Sequence, residues 1–452
     1  MYRDPVQSLE SLPGRATAIR ALRVGMIGIG TVGAGTLRVL QRNHAEIAAR
    51  AGRPIELVLV AARNLARAAQ VAGEVPLTDD ALRVATHPEV DVVVEVAGGT
   101  DAARDWVLAA IAHGKHVVTA NKALLAEHGA EIFAAARRQG VAVAYEGAVA
   151  GGIPIVKALR EGLAANRIEW VAGIVNGTTN FILSRMRDAG LDFAAALAEA
   201  QALGYAEADP AFDIEGIDAA HKLTLLAANA FGAEVRLADV EVQGITALQR
   251  IDMACAEQLG YRIKLLGLAR LGEAGLELRV QPALVPDSHP LAHVNGSMNG
   301  VMVKGDAAGT TLYCGAGAGS EQTASAVIAD LVDVARLDGT RAAQRVPHLG
   351  FHAHAMRTLP VLPRAEVRTA HYLRVPLREA QAIEALSGWL AARQLPVREL
   401  RLATPELAEA PQLLVLTQPV PQRELDLVLH ALALHPAVVG APSTLRVEEL
   451  AA

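Results

Sequence analysis

Residues 22–33 read LRVGMIGIGTVG. A short apolar run, 22–27, passes straight into Gly28-Ile-Gly30-Thr31-Val32-Gly33, and a helical stretch follows. Strand, GxGxxG turn and helix in that order form the arrangement that seats a dinucleotide. Gly28 allows the tight turn, Gly30 lets the backbone approach a pyrophosphate, and Gly33 permits close packing of helix on strand. Amides at the start of the helix, at Thr31 and Val32, would face the phosphates. The motif alone is weak; its setting gives it weight.

That setting is regular. Apolar runs at 22–27, 55–60, 91–96, 116–119 and 141–145 alternate with helical stretches at 33–50, 102–113 and 122–139. The runs are short and rich in β-branched residues, as buried parallel strands are. The alternation predicts an α/β fold with a Rossmann-type doubly wound parallel sheet over 21–150, after a polar arm at 1–20. Beyond Gly151-Gly152 the pattern changes. Helical stretches at 153–162, 178–189, 193–203 and 217–229 surround a strand at 167–175, which reads as a mixed α+β substrate and dimerisation domain over 151–319. A glycine turn at 315–319 opens a helix at 322–336, and the segment 320–345 is expected to return to the first domain. A proline-bearing linker occupies 346–366. The remainder, 367–452, reads as a separate βαββαβ ferredoxin-like unit. Its strands are placed at 372–376, 397–404, 412–416 and within 438–447, and its helices at 378–393 and 422–434.

Bulk properties narrow the function classes. The chain has 452 residues, too many for one ordinary core. Its net charge of −6 gives no reason to expect a nucleic acid or an anionic membrane as partner. No run approaches the length of a membrane helix, and the acid-bearing first residues do not read as a secretory signal. Two distant cysteines, Cys255 and Cys314, exclude a disulfide framework and fit a cytoplasmic setting.

Cofactor choice is read after the second strand. An NAD site wants an acid there, but the chain has Ala61-Ala62-Arg63-Asn64. Arg63 could clamp a 2′-phosphate, with Arg67 assisting, or could be a solvated surface arginine. NADP is favoured and NAD remains open.

A second constellation is acidic. Five carboxylates fall between Glu207 and Asp218, followed by Lys222. Asp218 and Lys222 stand four apart on one helix face. Spacing alone allows a surface ion pair. It equally allows a site whose carboxylates hold an ammonium group while the lysine exchanges a proton with a hydroxyl.

The segment GYAEADP at 204–210, with Asp213, Asp218 and Lys222, resembles the substrate signature of the homoserine dehydrogenases. So do TANK at 119–122, YEGAVAGGIP at 145–154 and NGTTNFIL at 176–183, in the family's order. The resemblance implies interconversion of L-homoserine and L-aspartate 4-semialdehyde, in threonine, methionine and isoleucine biosynthesis. It implies Lys222 as acid/base, assisted by Asp218. Glu207 and Asp213 would bind substrate, and Lys122 would lie near both substrate and cofactor. Thr100, Gly317 and Gly319 would join the glycine turn in cofactor binding. Glu146, Val149, Gly151 and Ile153 match a monovalent-cation site, for sodium or potassium, built from backbone carbonyls. The same turn could be a tight interdomain hinge. A homodimer or higher homo-oligomer is implied as well.

The chain departs from the family at GAGAGSEQT, 315–323, where prolines are usual. The last unit resembles an ACT domain, implying an amino-acid effector, but LREAQ at 377–381 lacks the Pro-Gly turn of such modules. A purely dimerising role is the other reading.

Other residues are read structurally. His348, His352, His354 and His371 read as scattered surface or boundary residues, and Cys314 as a packed one. Trp106, Trp170 and Trp389 read as core anchors, and Arg374, Arg378 and Arg393 as a solvated face. Two further functions stay in view: another NADP-linked amino-acid dehydrogenase, and a non-catalytic amino-acid sensor.

Overall fold

The computed structural model describes residues 20–337, 339–404 and 410–450. The polar arm expected at 1–20 lies outside them except for Arg20. The first half alternates as its sequence does. Strands β1 (Leu22–Ile27), β2 (Ile55–Ala61), β3 (Leu77–Thr78), β4 (Val92–Glu95), β5 (His116–Thr119) and β6 (Val143–Ala144) make one sheet. Its order is β3-β2-β1-β4-β5-β6, parallel throughout. The direction of winding reverses between β1 and β4, opening a crevice at their carboxyl ends.

Between these strands run α1 (Thr31–Arg42), α2 (His44–Ala51), α3 (Leu65–Ala72), α4 (Ala81–Thr86), α5 (Asp101–Ala112) and α6 (Lys122–Gln139). The single helix expected at 33–50 is two helices, because Asn43 leaves helical geometry at φ −109°, ψ 22°. The stretch expected as a helix at 153–162 is a short turn, α7 (Ile155–Lys157), continued by a wider π-type turn.

The second half is built on strands. They are β7 (Ile168–Ile174), β8 (Glu241–Val242), β9 (Tyr261–Gly272), β10 (Gly275–Pro286), β11 (Met298–Gly305) and β12 (Gly309–Ala316). Helices α8 (Gly177–Asp188), α9 (Phe193–Ala202), α10 (Ala211–Ile214), α11 (Ile217–Phe231) and α12 (Arg250–Gln258) pack with them. Sequence patterning missed β9 to β12. The alternation of Leu276-Glu277-Leu278-Arg279-Val280-Gln281 in β10 was a usable strand signal, although the hairpin is buried along nearly its whole length, polar members included.

Helix α13 (Ser320–Arg336) returns to the first sheet as expected. Its Ala324, Val327 and Leu331 enter the same core as Leu22 and Val24, and Arg336 donates to the Arg50 carbonyl. It stops at Arg336 and does not continue to 345. Left-handed Gly339 lies just beyond, and a separate 3-10 turn occupies Ala342–Gln344.

The C-terminal unit comprises β13 (Arg368–Pro376), α14 (Ala382–Ala392), β14 (Val397–Leu402), β15 (Gln412–Thr417), β16 (Val420–Pro421), α15 (Gln422–Ala433) and β17 (Ser443–Val447). Its four main strands stand in the ferredoxin-like order β17-β13-β15-β14, with α14 and α15 contributing to a core of its own. The reading of it as separate needs correction. Strand β17 pairs in parallel with β10, so one eleven-stranded sheet runs through both regions. Backbone hydrogen bonds and buried charges tie the seam.

That seam overturns two readings of single residues. Arg374 does not line a solvated face; it is buried, donating to Asp252 Oδ1 at 2.7 Å. His371 is buried in β13 rather than at the surface. Away from the seam, His348 is half-buried, as a boundary residue is, and stacks on Phe133 with ring centroids 5.4 Å apart. Cys314, expected to be packed, is exposed on β12 at the end of the sheet. The remaining readings divide. Trp170 is buried while Trp106 and Trp389 are half-buried against their cores, and Arg378 and Arg393 are exposed.

Candidate active site

The dinucleotide turn has the packing its glycines require. Gly28 adopts φ +99°, and a Cβ there would lie 2.8 Å from the Ala97 backbone. A Cβ on Gly33 would come within 2.3 Å of the Gly28 carbonyl oxygen, so α1 could not start so close to its own turn. Gly30 is open, with nothing within 4 Å of where a Cβ would stand. The first amides of α1, from Thr31 to Gly33, have no partner within the helix, as at any helix start. An open cradle beneath free amides fits a pyrophosphate.

The crevice continues along β4 and β5. Glu95, at the end of β4, is fully buried and accepts from the Ala97 and Gly98 amides at 3.0 and 3.1 Å. Its other oxygen accepts from Thr119 Oγ1 at 2.7 Å. Burial pushes its carboxyl up, opposed by these donors. Glu95 thereby fixes the loop leading to Thr100, which stands half-buried at the start of α5. Asn121 reaches across to the Gly99 carbonyl at 2.7 Å and caps α6 through the Leu124 amide. Sequence reading passed over Glu95, although an acid within an otherwise apolar buried strand is a usable signal.

Lys122 begins α6 and points to the second constellation. Its Nζ lies 3.2 Å from Asp218 Oδ1. Asp218 sits in the first turn of α11, where a negative charge suits the helix dipole. Lys222, one turn on, donates to Asp218 Oδ2 at 2.7 Å and to the Val175 carbonyl at 2.6 Å. Both side chains are buried, so the surface ion pair that spacing allowed is excluded.

Asn176 joins the acids. Its Nδ2 donates to Asp213 Oδ1 at 2.7 Å and to Asp218 Oδ2 at 2.8 Å, while its Oδ1 caps α8 through the Thr179 amide. The sequence marked this segment as a family block without giving Asn176 a task.

Charge follows from burial. Desolvation pulls Lys222 down, and it outweighs the opposing pull of Asp218. Burial pulls Asp218 up, but Lys222, Lys122 and Asn176 together hold it at about 2. Burial pushes Asp213 up, with Asn176 opposing. An ionised Asp218 beside a lysine brought toward neutrality can orient that lysine for proton exchange.

Some expected residues stand apart. Glu207 lies exposed on the loop after α9, and its described contact is its carbonyl, which accepts from Gln201 Nε2. Arg63 is exposed just past β2. Gly317 and Gly319 lie on the β12–α13 turn, which abuts Gly151 and Gly152; the Gly152 amide donates to the Ala316 carbonyl at 3.0 Å. Within the 146–153 turn, Ala150 and Gly151 are left-handed at φ 52° and 28°. The Glu146 carboxylate is committed to the Val156 and Lys157 amides at 2.9 and 2.8 Å.

Two family models match the chain. "Homoserine dehydrogenase, NAD binding domain" matches residues 28–146 and "Homoserine dehydrogenase" matches residues 154–332. Homoserine dehydrogenase of Pseudomonas aeruginosa is 51% identical, over 96% of this chain and 100% of its own. That of Neisseria gonorrhoeae is 49% identical over 84% of this chain and 88% of its own. The crystal structure of a homoserine dehydrogenase from Thiobacillus denitrificans superposes with a TM-score of 0.91 at 52% identity, covering 96% of this chain and 99% of that one. Glycine turn, buried lysine–carboxylate pair and these likenesses agree: the chain belongs to the homoserine dehydrogenase family, oxidoreductases that act on a CH–OH group to interconvert L-homoserine and L-aspartate 4-semialdehyde.

Proposed function

We propose that Lys222 exchanges the proton of the substrate hydroxyl and that NADP is the preferred dinucleotide. The observation that carries the first part is the seat of the Lys222 Nζ, buried between the Val175 carbonyl and Asp218 at the end of β7. In oxidation, the neutral amine accepts the hydroxyl proton as the carbinol carbon gives up its hydride; in reduction, the ammonium returns that proton to the aldehyde oxygen. The nicotinamide, when bound, is the hydride acceptor or donor. Asp218 keeps the lysine oriented, Lys122 lies beside the same carboxylate, and Glu207 with Asp213 receives the substrate ammonium. Lys222→Ala is expected to lower kcat by about 10²–10⁴-fold while leaving dinucleotide Kd nearly unchanged. A variant with near-normal kcat would remove Lys222 from the chemistry.

Cofactor preference is supported by the residues after β2, where Ala61-Ala62-Arg63-Asn64 offers a guanidinium and no acid. Arg63→Ala is expected to lower the ratio of kcat/KM with NADP to that with NAD by about tenfold, the loss of one charge-assisted contact. An unchanged ratio overturns the assignment.

A sodium or potassium ion is proposed at the 146–153 turn. Since the Glu146 carboxylate is already engaged, backbone carbonyls of Glu146, Val149, Gly151 and Ile153 would hold it. Self-association of the chain is supported by β12, which ends the large sheet and carries the exposed Leu312.

A further inference from the structure

Asn299, on β11, is fully buried, yet neither its Nδ2 nor its Oδ1 has a hydrogen-bond partner among the described residues. Leaving both halves of an amide desolvated and unpaired is unfavourable, and native interiors rarely tolerate it. The position of this amide is specific. A Cβ built on Gly317 would stand 1.9 Å from Asn299 Nδ2, so the amide occupies the space that a side chain at 317 would take. A Cβ on Gly177, the first residue of α8, would lie 3.6 Å from Asn299 Oδ1. The side chain therefore lies between the β12–α13 glycine turn and the start of the helix that Asn176 caps. In the ladder, Asn299 stands opposite Gly315, at the root of that turn.

We propose that Asn299 is a positioning residue that links the dinucleotide turn to the substrate site. When the Gly315–Gly319 turn settles over the dinucleotide, one of its carbonyls accepts from Asn299 Nδ2. At the same time Oδ1 accepts a first-turn amide of α8, at Gly177 or Thr178, where a helix start leaves donors free. Both halves of the amide become satisfied only in the closed arrangement, so their unpaired state biases the ligand-free chain toward closure. Because Asn176 starts α8 and holds Asp213 and Asp218, the same side chain transmits closure to the substrate carboxylates. The glycine at 317 is what lets the amide approach the turn.

This inference rests on the reading of the Gly315–Gly319 turn as part of the dinucleotide seat. Its test is a fluorescence titration of the full chain with NADPH, and with NADH, alongside thermal melting without ligand. Asn299→Leu and Asn299→Ala are each expected to raise the Kd by about tenfold. The ligand-free Leu variant, relieved of an unpaired amide, is expected to melt no lower than the parent. A Kd within about twofold of the parent in either variant overturns the proposal. So does a Leu variant that melts several degrees lower, since the amide would then be supporting the ligand-free fold. A parent that binds neither dinucleotide overturns the cofactor reading itself, and this inference with it.

Discussion

Between β7 and α11 a lysine is buried against one carboxylate and one carbonyl; along the seam of β10 and β17 an arginine is buried between two glutamates. Arg279 donates from Nε to Glu277 at 2.7 Å and from Nη1 to Glu448. Burial pulls both cations down. For Lys222 it prevails, because Lys122 stands near the same acid and Asp218 is shared between them. For Arg279 the two glutamates win, and its guanidinium is held above its usual range. The same desolvation thus draws an ammonium toward neutrality in one place and leaves a permanent charge in the other. Residue type sharpens the contrast, since an ammonium can be tuned by burial and a guanidinium stays charged.

Exchanging the cation types breaks the comparison most sharply. Lys222→Arg keeps the charge and would remove the proposed proton exchange, so kcat is expected to fall by about 10²–10⁴-fold with dinucleotide Kd little changed. Retained turnover in steady-state assays would show that charge alone matters there. At the seam, Arg279→Met removes the fully buried partner that Glu277 and Glu448 share, and denaturant unfolding should show a loss of about 3–5 kcal/mol. An unfolding midpoint equal to the parent's would mean that Arg270, which already lies 3.4 Å from Glu277 and 3.8 Å from Glu448, suffices to hold both glutamates.

The smallest effect concerns Asp330 on α13, a carboxyl between these extremes. It accepts from the Glu146 amide at 2.8 Å, and the Lys157 ammonium lies 3.9 Å away. Burial raises it to about 7, Lys157 opposing and Glu146 reinforcing. A folded-state value above the ordinary 3.8 means the native chain holds the proton more tightly than the unfolded chain. Its contribution to stability is complete below about 3.8 and is lost as pH rises through about 7. Asp330→Asn should therefore flatten the decline in melting temperature across that window by a few degrees. An unchanged slope would place the proton on another group.

Local pattern carried much of the architecture. The bounds of β5 and α6 follow from a short β-branched run, then Asn121 as a cap, then Gly140 in left-handed geometry after the last turn. The Gly28–Gly33 turn was legible because three glycines at fixed spacing have no other common use between strand and helix. The β9–β10 hairpin carried its period in Leu276-Glu277-Leu278-Arg279-Val280-Gln281, but that alternation says nothing of the second covered face, where Glu277, Arg279 and Gln281 are buried. Arg374 and His371 misled for a related reason. A polar residue in a strand reads as solvent-facing until a second element, here α12 or β17, is known to cover it.

Residue order alone determined the strand–turn–helix seat, the parallel sheet and the pairing of Asp218 with Lys222 on one helix face, because each depends on neighbours within a few positions. Tertiary structure alone decided that this pair is buried, that Asn176 and Lys122 converge on the same carboxylate, and that the C-terminal unit extends the substrate sheet. Those outcomes depend on desolvation and on contacts between segments far apart in the chain, which no local period encodes.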